Sequence, residues 1–395
     1  MAARVIGSEH ITEAAERGRR TIEILPGDIV TPTARESAER LRVRLVEGPL
    51  ERPQAIEADG ATAARRSLYR RSPKWTSPKP HASRAVSKVR RLALVGAGGV
   101  GAAVAHLAAS ADMADEIALI DVVPGLAASV ALDLSHASGI TGSTAHITGG
   151  TSLSAVADAQ VVVVTAGRPR TPGMSRADLL QVNRRVIQQV AEAVRTSAPN
   201  AVVIVVTNPL DEMTVEMLRA TQFPRNQVLG MAGTLDSSRF RHALAAAAGV
   251  PAADVEAMTL GSHGDEMAPI VSRARIRGRP LGDHLSAEAI ETCVQDAITG
   301  GGQVVALRKT GSAALAPAHA IVEMIDHMRG ARAGLVPVSV MLEGEYGIDD
   351  VVLGVPCRLG LTGLLEVVDV PLDEGERAQL EAAARSIAAR LSAPE

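Results

Sequence analysis

The residues able to do chemistry fall in four short stretches. "RPRTPGMSR" (168–176) sets Arg168, Arg170 and Arg176 around Pro169, Pro172 and Gly173, directly after the apolar run "VVVVTAG". "VVTNPLDEMT" ends a strand-like run at Asn208-Pro209, and "GTLDSSRFR" spaces Asp236 and Arg239 three apart, on one face if helical. "LGSHGDEMAP" puts His263 on a glycine-flanked turn. A solvated loop needs no such concentration of guanidinium, whereas a site that grips and polarises an anion does. An imidazole titrates near neutrality, so it can take a hydroxyl proton as a hydride leaves. A buried carboxylate would hold that ring in one tautomer, one guanidinium would polarise a carbonyl oxygen, and another would fork onto a substrate carboxylate. His263, Asp236, Arg176 and Arg239 suit these roles by type. Such a set would suit hydride transfer at a carbon bearing a hydroxyl, provided a nucleotide-binding element elsewhere in the chain supplies the hydride acceptor.

Singly, each residue has a plainer reading. A lone histidine is more often structural, Arg239 can pair with a local acid, Asp236 can open a helix, and Arg168 reads as an exposed spectator. Only their company downstream of a nucleotide-binding pattern reverses these odds.

The elements that must position them start with five apolar runs at 92–95, 117–120, 161–166, 202–207 and 228–231, separated by helical stretches. Near-continuous apolar strands alternating with helices argue for a parallel sheet covered on both faces. The fold class expected is α/β: a Rossmann-type doubly wound sheet, then an α+β catalytic domain, with a small N-terminal appendage. The first run enters "GAGGVG", residues Gly96, Ala97, Gly98, Gly99, Val100 and Gly101. Gly96 permits the tight turn, Gly98 lets backbone approach a pyrophosphate, and Gly101 lets helix pack on strand. Asp121 closes the second run, where an acid hydrogen-bonds both ribose hydroxyls and repels a 2′-phosphate. The following "VVPG" carries no compensating cation, so NAD is favoured over NADP. The plainer alternative is that Asp121 merely caps a strand.

The 395 residues carry a formal net charge of -3, which gives no whole-chain bias toward nucleic acid. Aromatics make up 1%, so the core is aliphatic and base-stacking platforms are scarce. Cys293 and Cys357 form neither a disulfide framework nor a metal spacing, and read as inert thiols in a reducing cytoplasm. No metal is expected. There is no long apolar run and no signal-peptide pattern, so a cytoplasmic protein off the membrane is expected.

Four regions follow. Residues 1–48 form a small accessory segment and candidate docking module, and 49–89 a basic Pro/Ser-containing linker. Residues 90–231 form the NAD-binding domain and 232–395 the catalytic domain. From Ala61 to Arg91 there are ten Lys or Arg and no acid, with Tyr69 and Trp75 among them. This composition reads as a solvated tether; contact with RNA, DNA or an acidic surface is the competing reading. In the front segment "HITEAAERG" and "TPTARESAERL" read as helices, "TIEIL" and "RVRLVE" as strands. Thr31 precedes Pro32, and Thr33 with Glu36 has capping-box spacing. A unit this small is marginal alone and calls for a partner surface.

Residues 91–395 resemble the lactate/malate dehydrogenase family, most closely its lactate-dehydrogenase-like malate dehydrogenase branch. The match runs through "GAGGVG", "LID", "TAGRPRTPGMSRADLLQVN", "TNPLDEMT", "LDSSRFR", "GSHGDEMAP", "KTGSA", "LEGEYGI" and "GVPCRLG". The resemblance implies that His263 is the proton acceptor, Asp236 its partner, and Arg239 the binder of the substrate carboxylate. It implies substrate contacts for Arg170, Arg176 and Asn208, and NAD contacts for Asn183, Val206, Thr207 and Asn208. Arg176 would polarise the reacting carbonyl, and Arg170 would neutralise the second carboxylate of a dicarboxylic substrate. An unpaired guanidinium over lactate's methyl group would be costly, so the (S)-malate/oxaloacetate pair is preferred. A homodimer or homotetramer is implied as well. The alternatives are a dehydrogenase of lactate or another 2-hydroxy acid, and a scaffold or nucleic-acid-binding protein using the 61–91 run.

Three features depart from the family pattern. Ala274-Arg275 stand where Ser-Thr is common, Ala314-Leu315 where aromatics are usual, and Thr171 where lysine is common. Arg273, Arg275, Arg277 and Arg279 alternate, which reads as a basic stripe on one face of a strand, a protected edge or a site for an acidic partner. "ITEAAERGRRTIEILPGDIVTPTARESAERLRVRLVE" is similar to a short segment at the start of ethanolamine-utilisation accessory proteins of bacterial microcompartments. That implies docking of residues 1–48 to a protein or shell partner.

Overall fold

The computed structural model describes residues 4–25, 27–48, 86–168, 176–309 and 311–392, without the side chains of 176 and 177. Arg170, Thr171 and linker residues 49–85 lie outside the described residues. The chain divides into two compact units, Met1–His81 and Ala82–Glu395.

The first unit repeats strand–helix–strand twice: β1 (Val5–Ile6), α1 (Ser8–Glu16), β2 (Thr21–Ile24), then β3 (Ile29–Val30), α2 (Pro32–Leu41), β4 (Arg44–Glu47). β1 pairs with β3 and β2 with β4, both parallel. Ile6, Ile11, Ala34, Ala38 and Val43 form its core. Thr31 caps α2, its Oγ1 accepting the Ala34 N–H at 3.1 Å, with Pro32 at the first helical position. Thr33, the other capping candidate, already lies inside the helix.

The second unit begins with β5 (Val89–Val95), α3 (Gly99–Ser110), β6 (Ala114–Ile120), α4 (Leu126–Thr141), β7 (His146–Gly150) and β8 (Val161–Val164). α5 (Arg176–Ser197), β9 (Val202–Val205), α6 (Leu210–Thr221), β10 (Val228–Gly230) and α7 (Gly233–Ala248) follow. Next come β11 (Val255–Glu256), β12 (Thr259–Gly261), β13 (Met267–Pro269), β14 (Arg275–Ile276), β15 (Arg279–Pro280) and α8 (Ala287–Arg308). α9 (Leu315–Met328), β16 (Val336–Glu343), β17 (Asp349–Gly360), β18 (Gly363–Val367) and α10 (Glu374–Ser392) complete it.

One sheet runs β13-β12-β17-β16-β10-β9-β8-β5-β6-β7, with β18 on β17. From β10 to β7 every pairing is parallel. In order of appearance those strands read 6-5-4-1-2-3, the doubly wound order, whose switch point lies between β5 and β8. Val104 and Ala108 of α3 and Ile321 and Met324 of α9 cover one face. Ile187, Val190 and Val194 of α5 and Met213 and Met217 of α6 cover the other. Each such Val, Ile or Met side chain contributes about 1.5–3 kcal/mol by leaving water, which explains how a core almost free of aromatics suffices.

Two expectations are corrected. β7, "HITGG", was not among the expected strands: it is an edge strand and lacks the apolar run that marks a strand buried on both faces. The alternating arginines do not form a stripe on one strand. β14 and β15 are a tight hairpin, with Arg277 (φ 51) and Gly278 (φ 74) left-handed at its turn. Arg277 pairs with Asp254 at 2.9 Å and Arg279 with Asp283 at 3.2 Å, while Arg275 donates to the Ala274 carbonyl at 2.8 Å. Among the described residues no helix is long and apolar enough to cross a membrane, and no three metal-ligating side chains come together.

Candidate active site

The carboxyl ends of β5, β6, β8 and β9 build one side of the site. Beyond β5, Gly96 has φ 107, and a Cβ there would lie 2.5 Å from Thr165 Oγ1. A Cβ on Gly101 would lie 1.8 Å from the Gly96 carbonyl oxygen, so only glycine lets α3 start this close. Gly98 precedes α3 and offers no side-chain cap, and the space its Cβ would occupy is open. The helix's first N–H groups therefore face a bare backbone surface, as a pyrophosphate requires. Asp121 stands beside this loop: its Oδ2 accepts the Ala97 N–H at 2.7 Å and its Oδ1 the Val123 N–H at 3.0 Å. Each oxygen keeps acceptor capacity for a ribose hydroxyl. The bare loop and adjacent acid fit NAD.

At the ends of β8 and β9, Thr207 Oγ1 donates to the Ala166 carbonyl at 2.7 Å, and Val206 is half-buried. Asn183 on α5 is buried. Its Oδ1 accepts the Arg168 N–H at 2.8 Å, and its Nδ2 donates to the carbonyls of Arg168 at 3.2 Å and Asn208 at 2.6 Å. The Asn183 amide is thus engaged on the backbone that presents the exposed Asn208.

The other side is α7 and the turn between β12 and β13. Asp236, in the first turn of α7, is 1% exposed. Its Oδ2 accepts from His263 Nδ1 at 2.9 Å, and its Oδ1 accepts from Arg239 Nη1 at 2.9 Å. One carboxylate therefore gathers an imidazole and a guanidinium that are 24 residues apart, 239 to 263, in sequence. With Nδ1–H assigned toward Asp236, Nε2 is the acceptor left for a ligand. The His263 side chain retains 19% exposure, as does that of Arg239, so both can be reached. Burial pushes the imidazole toward its neutral form. The Asp236 charge and hydrogen bond, backed by the Asp211 charge, outweigh burial and the opposing Arg239 charge, so the His263 pKa rises above its ordinary 6.5. Arg239 lies over Gly301 of α8, where a Cβ would come 3.2 Å from Nη2. A cavity of about 900 Å³ opens beside it between α7 and α8, lined by His242, Thr292, Asp296 and Gln303 among others.

Arg176 opens α5, its side chain lying outside the description along with Arg170. Asp211 carries no signal in the sequence beyond membership of "TNPLDEMT". Buried at the start of α6, it accepts the His263 backbone N–H at 3.0 Å.

The family model of the lactate/malate dehydrogenase NAD binding domain matches residues 90–230, and that of the lactate/malate dehydrogenase alpha/beta C-terminal domain matches residues 233–393. The chain belongs to the lactate/malate dehydrogenase family. It is 43% identical to the malate dehydrogenase of Trichormus variabilis over 79% of this chain and 96% of that protein. It is 42% identical to malate dehydrogenase 1 of Anaeromyxobacter dehalogenans, over 75% and 96%. The crystal structure of Cryptosporidium parvum malate dehydrogenase superposes with a TM-score of 0.74 at 37% identity, covering 77% of this chain and 98% of that one. Lactate dehydrogenase from the same organism, complexed with lactic acid and nicotinamide adenine dinucleotide, gives 0.74 at 33%, covering 78% and 100%. As a lactate/malate dehydrogenase family member, the chain is an NAD-dependent oxidoreductase with a Rossmann NAD-binding domain and an α/β C-terminal domain.

Proposed function

We propose that the chain catalyses reversible hydride transfer between (S)-malate and NAD, giving oxaloacetate and NADH. The observation that carries this reading is the Asp236 bridge, which sets a proton acceptor and an anion-binding fork side by side. When bound, NAD supplies the hydride acceptor. His263 Nε2 takes the malate hydroxyl proton and returns it in the reverse direction, while Asp236 keeps the ring in one tautomer and stabilises its cation. Arg239, with N–H groups left over from Asp236, forks onto the adjacent carboxylate. Asn208 binds substrate from the end of β9, and Arg176 polarises the reacting carbonyl. Gly96 to Gly101 and Asp121 hold the cofactor, with Asn183, Val206, Thr207 and Asn208 contacting it from the ends of β8 and β9 and from α5.

Arg170 selects the dicarboxylic acid by pairing with its second carboxylate. Breaking such a desolvated pair costs about 3 kcal/mol or more, roughly 100-fold in rate. Arg170→Gln is therefore expected to lose about that factor in kcat/KM for oxaloacetate, with a relative gain on pyruvate, followed by NADH absorbance. An unchanged ratio between the two acids would remove Arg170 from this role.

The same reading includes a homodimer or homotetramer. Membership of the lactate/malate dehydrogenase family supports it; sedimentation as a lone chain would contradict it. Cytoplasmic residence, with residues 1–48 docking to a protein or a microcompartment shell, completes the proposal. A full-length chain that co-localises with no shell in cells would remove the last part.

A further inference from the structure

We propose that Asp211 is a positioning residue for His263, pinning the backbone of the turn while Asp236 pins the ring. The inference rests on the hydride-transfer reading for the meaning of kcat, but its geometry stands alone. Asp211 is 1% exposed, at the second position of α6. An acid there usually serves its own helix, through the dipole or the first-turn N–H groups. Asp211 serves other elements. Its Oδ2 accepts from Ser262 Oγ at 2.7 Å and from the His263 N–H at 3.0 Å, and its Oδ1 accepts from Ser339 Oγ of β16 at 3.1 Å. These donors lie 51, 52 and 128 residues away. Asp211 is also three residues past Asn208, so one short segment delivers a ligand-facing amide and the anchor of the catalytic turn.

The turn is fastened from behind as well. Arg390, in the last turn of α10, donates through Nε to Glu212 at 2.8 Å and through Nη1 to Glu266 at 2.7 Å, with Nη2 3.4 Å from Ser262 Oγ. The charges facing the imidazole are Asp236 and Arg239 from α7 and Asp211 from α6, with Glu212, Glu266 and Arg390 behind them. Burial pushes the Asp211 carboxyl toward its neutral form, the Ser262 and His263 donors acting against it. A carboxylate kept there needs every one of its donors.

The test uses the full chain carrying Asp211→Asn, a change of charge with little change of shape. Expected are an unchanged dissociation constant for NADH, a loss of about 10- to 100-fold in kcat from the misplaced turn, and an acidward shift of the His263 midpoint in NMR titration without substrate. A folded D211N with wild-type kcat and an unmoved midpoint would overturn the proposal. Should D211N not fold, Ser262→Ala keeps the charge and removes one restraint; faster amide exchange at His263 is expected, and unchanged exchange overturns the idea. A wild type inactive on every 2-oxo acid would sink the malate reading, while the NMR measurements would still decide Asp211.

Discussion

Replacing His263 with asparagine is expected to lower kcat in both directions by about 10³-fold, leaving NADH binding intact. The side-chain amide of asparagine reaches roughly where Nδ1 stands, so it can still donate toward Asp236 Oδ2 and keep the buried carboxylate satisfied. Nothing then occupies the position of Nε2. The variant therefore separates proton transfer from assembly of the site, which alanine would not do. Stopped-flow NADH oxidation, with NADH affinity by fluorescence, checks both halves. A variant within tenfold of wild type would mean that the hydroxyl proton leaves by another group.

Asp236→Asn strikes two partners at once. The carboxylate is 1% exposed and accepts from both His263 and Arg239 at 2.9 Å. Removing one charge of a buried ion pair costs about 3–5 kcal/mol, so kcat/KM is expected to fall by roughly 10²- to 10⁴-fold. The pH profile gives the sharper signature. In the wild type the His263 pKa is held above 6.5. Malate oxidation uses the neutral ring, so its kcat/KM rises with pH through that raised value. Oxaloacetate reduction uses the cation and falls over the same range. Without the Asp236 charge burial dominates and the midpoint moves acidward. The variant then retains oxidation further into acid and loses reduction near neutrality. The stability linked to the raised His263 pKa is full below the ordinary value and disappears as pH climbs through the folded one. Midpoints that coincide in D236N and wild type would refute the bridge as the cause.

The sequence disclosed those parts of the molecule whose causes are local. Five parallel strands were legible because burial on both faces demands unbroken apolar runs, and the glycine loop because a Cβ at Gly101 would collide with Gly96. β7 was not legible: an edge strand with Ile147 as its one apolar residue satisfies its hydrogen bonds without an apolar run. The arginine alternation misled for the reverse reason. Its period suits a strand, but Arg277-Gly278 can take the left-handed turn that folds the segment back. The Asn183 side chain, linked to NAD by resemblance, has a second duty that spacing did not announce: its amide engages the backbone of Arg168 and Asn208. The duty of Asp211 left no trace in spacing, since its partners arrive from β16 and from the turn after β12. An acid pair, Asp211-Glu212, flanked by Leu210 and Met213 in "NPLDEM" was the available signal, and first-turn acids on a helix are too common to stand out.

The two halves of the second unit share one hydrogen-bonded lattice: β10 closes the parallel strands and pairs directly with β16, Gly230 opposite Ser339. Thr234 at the start of α7 adds a bond to the Pro337 carbonyl at 2.8 Å, stitching the same seam. The spacing between the nucleotide loop and the strands that carry the catalytic turn is therefore set by main-chain pitch, and side chains such as Asp211 and Asp236 complete the placement of the imidazole. Evolution or engineering can retune acidity and selectivity at this centre residue by residue, on a frame between the two halves that the shared sheet holds constant.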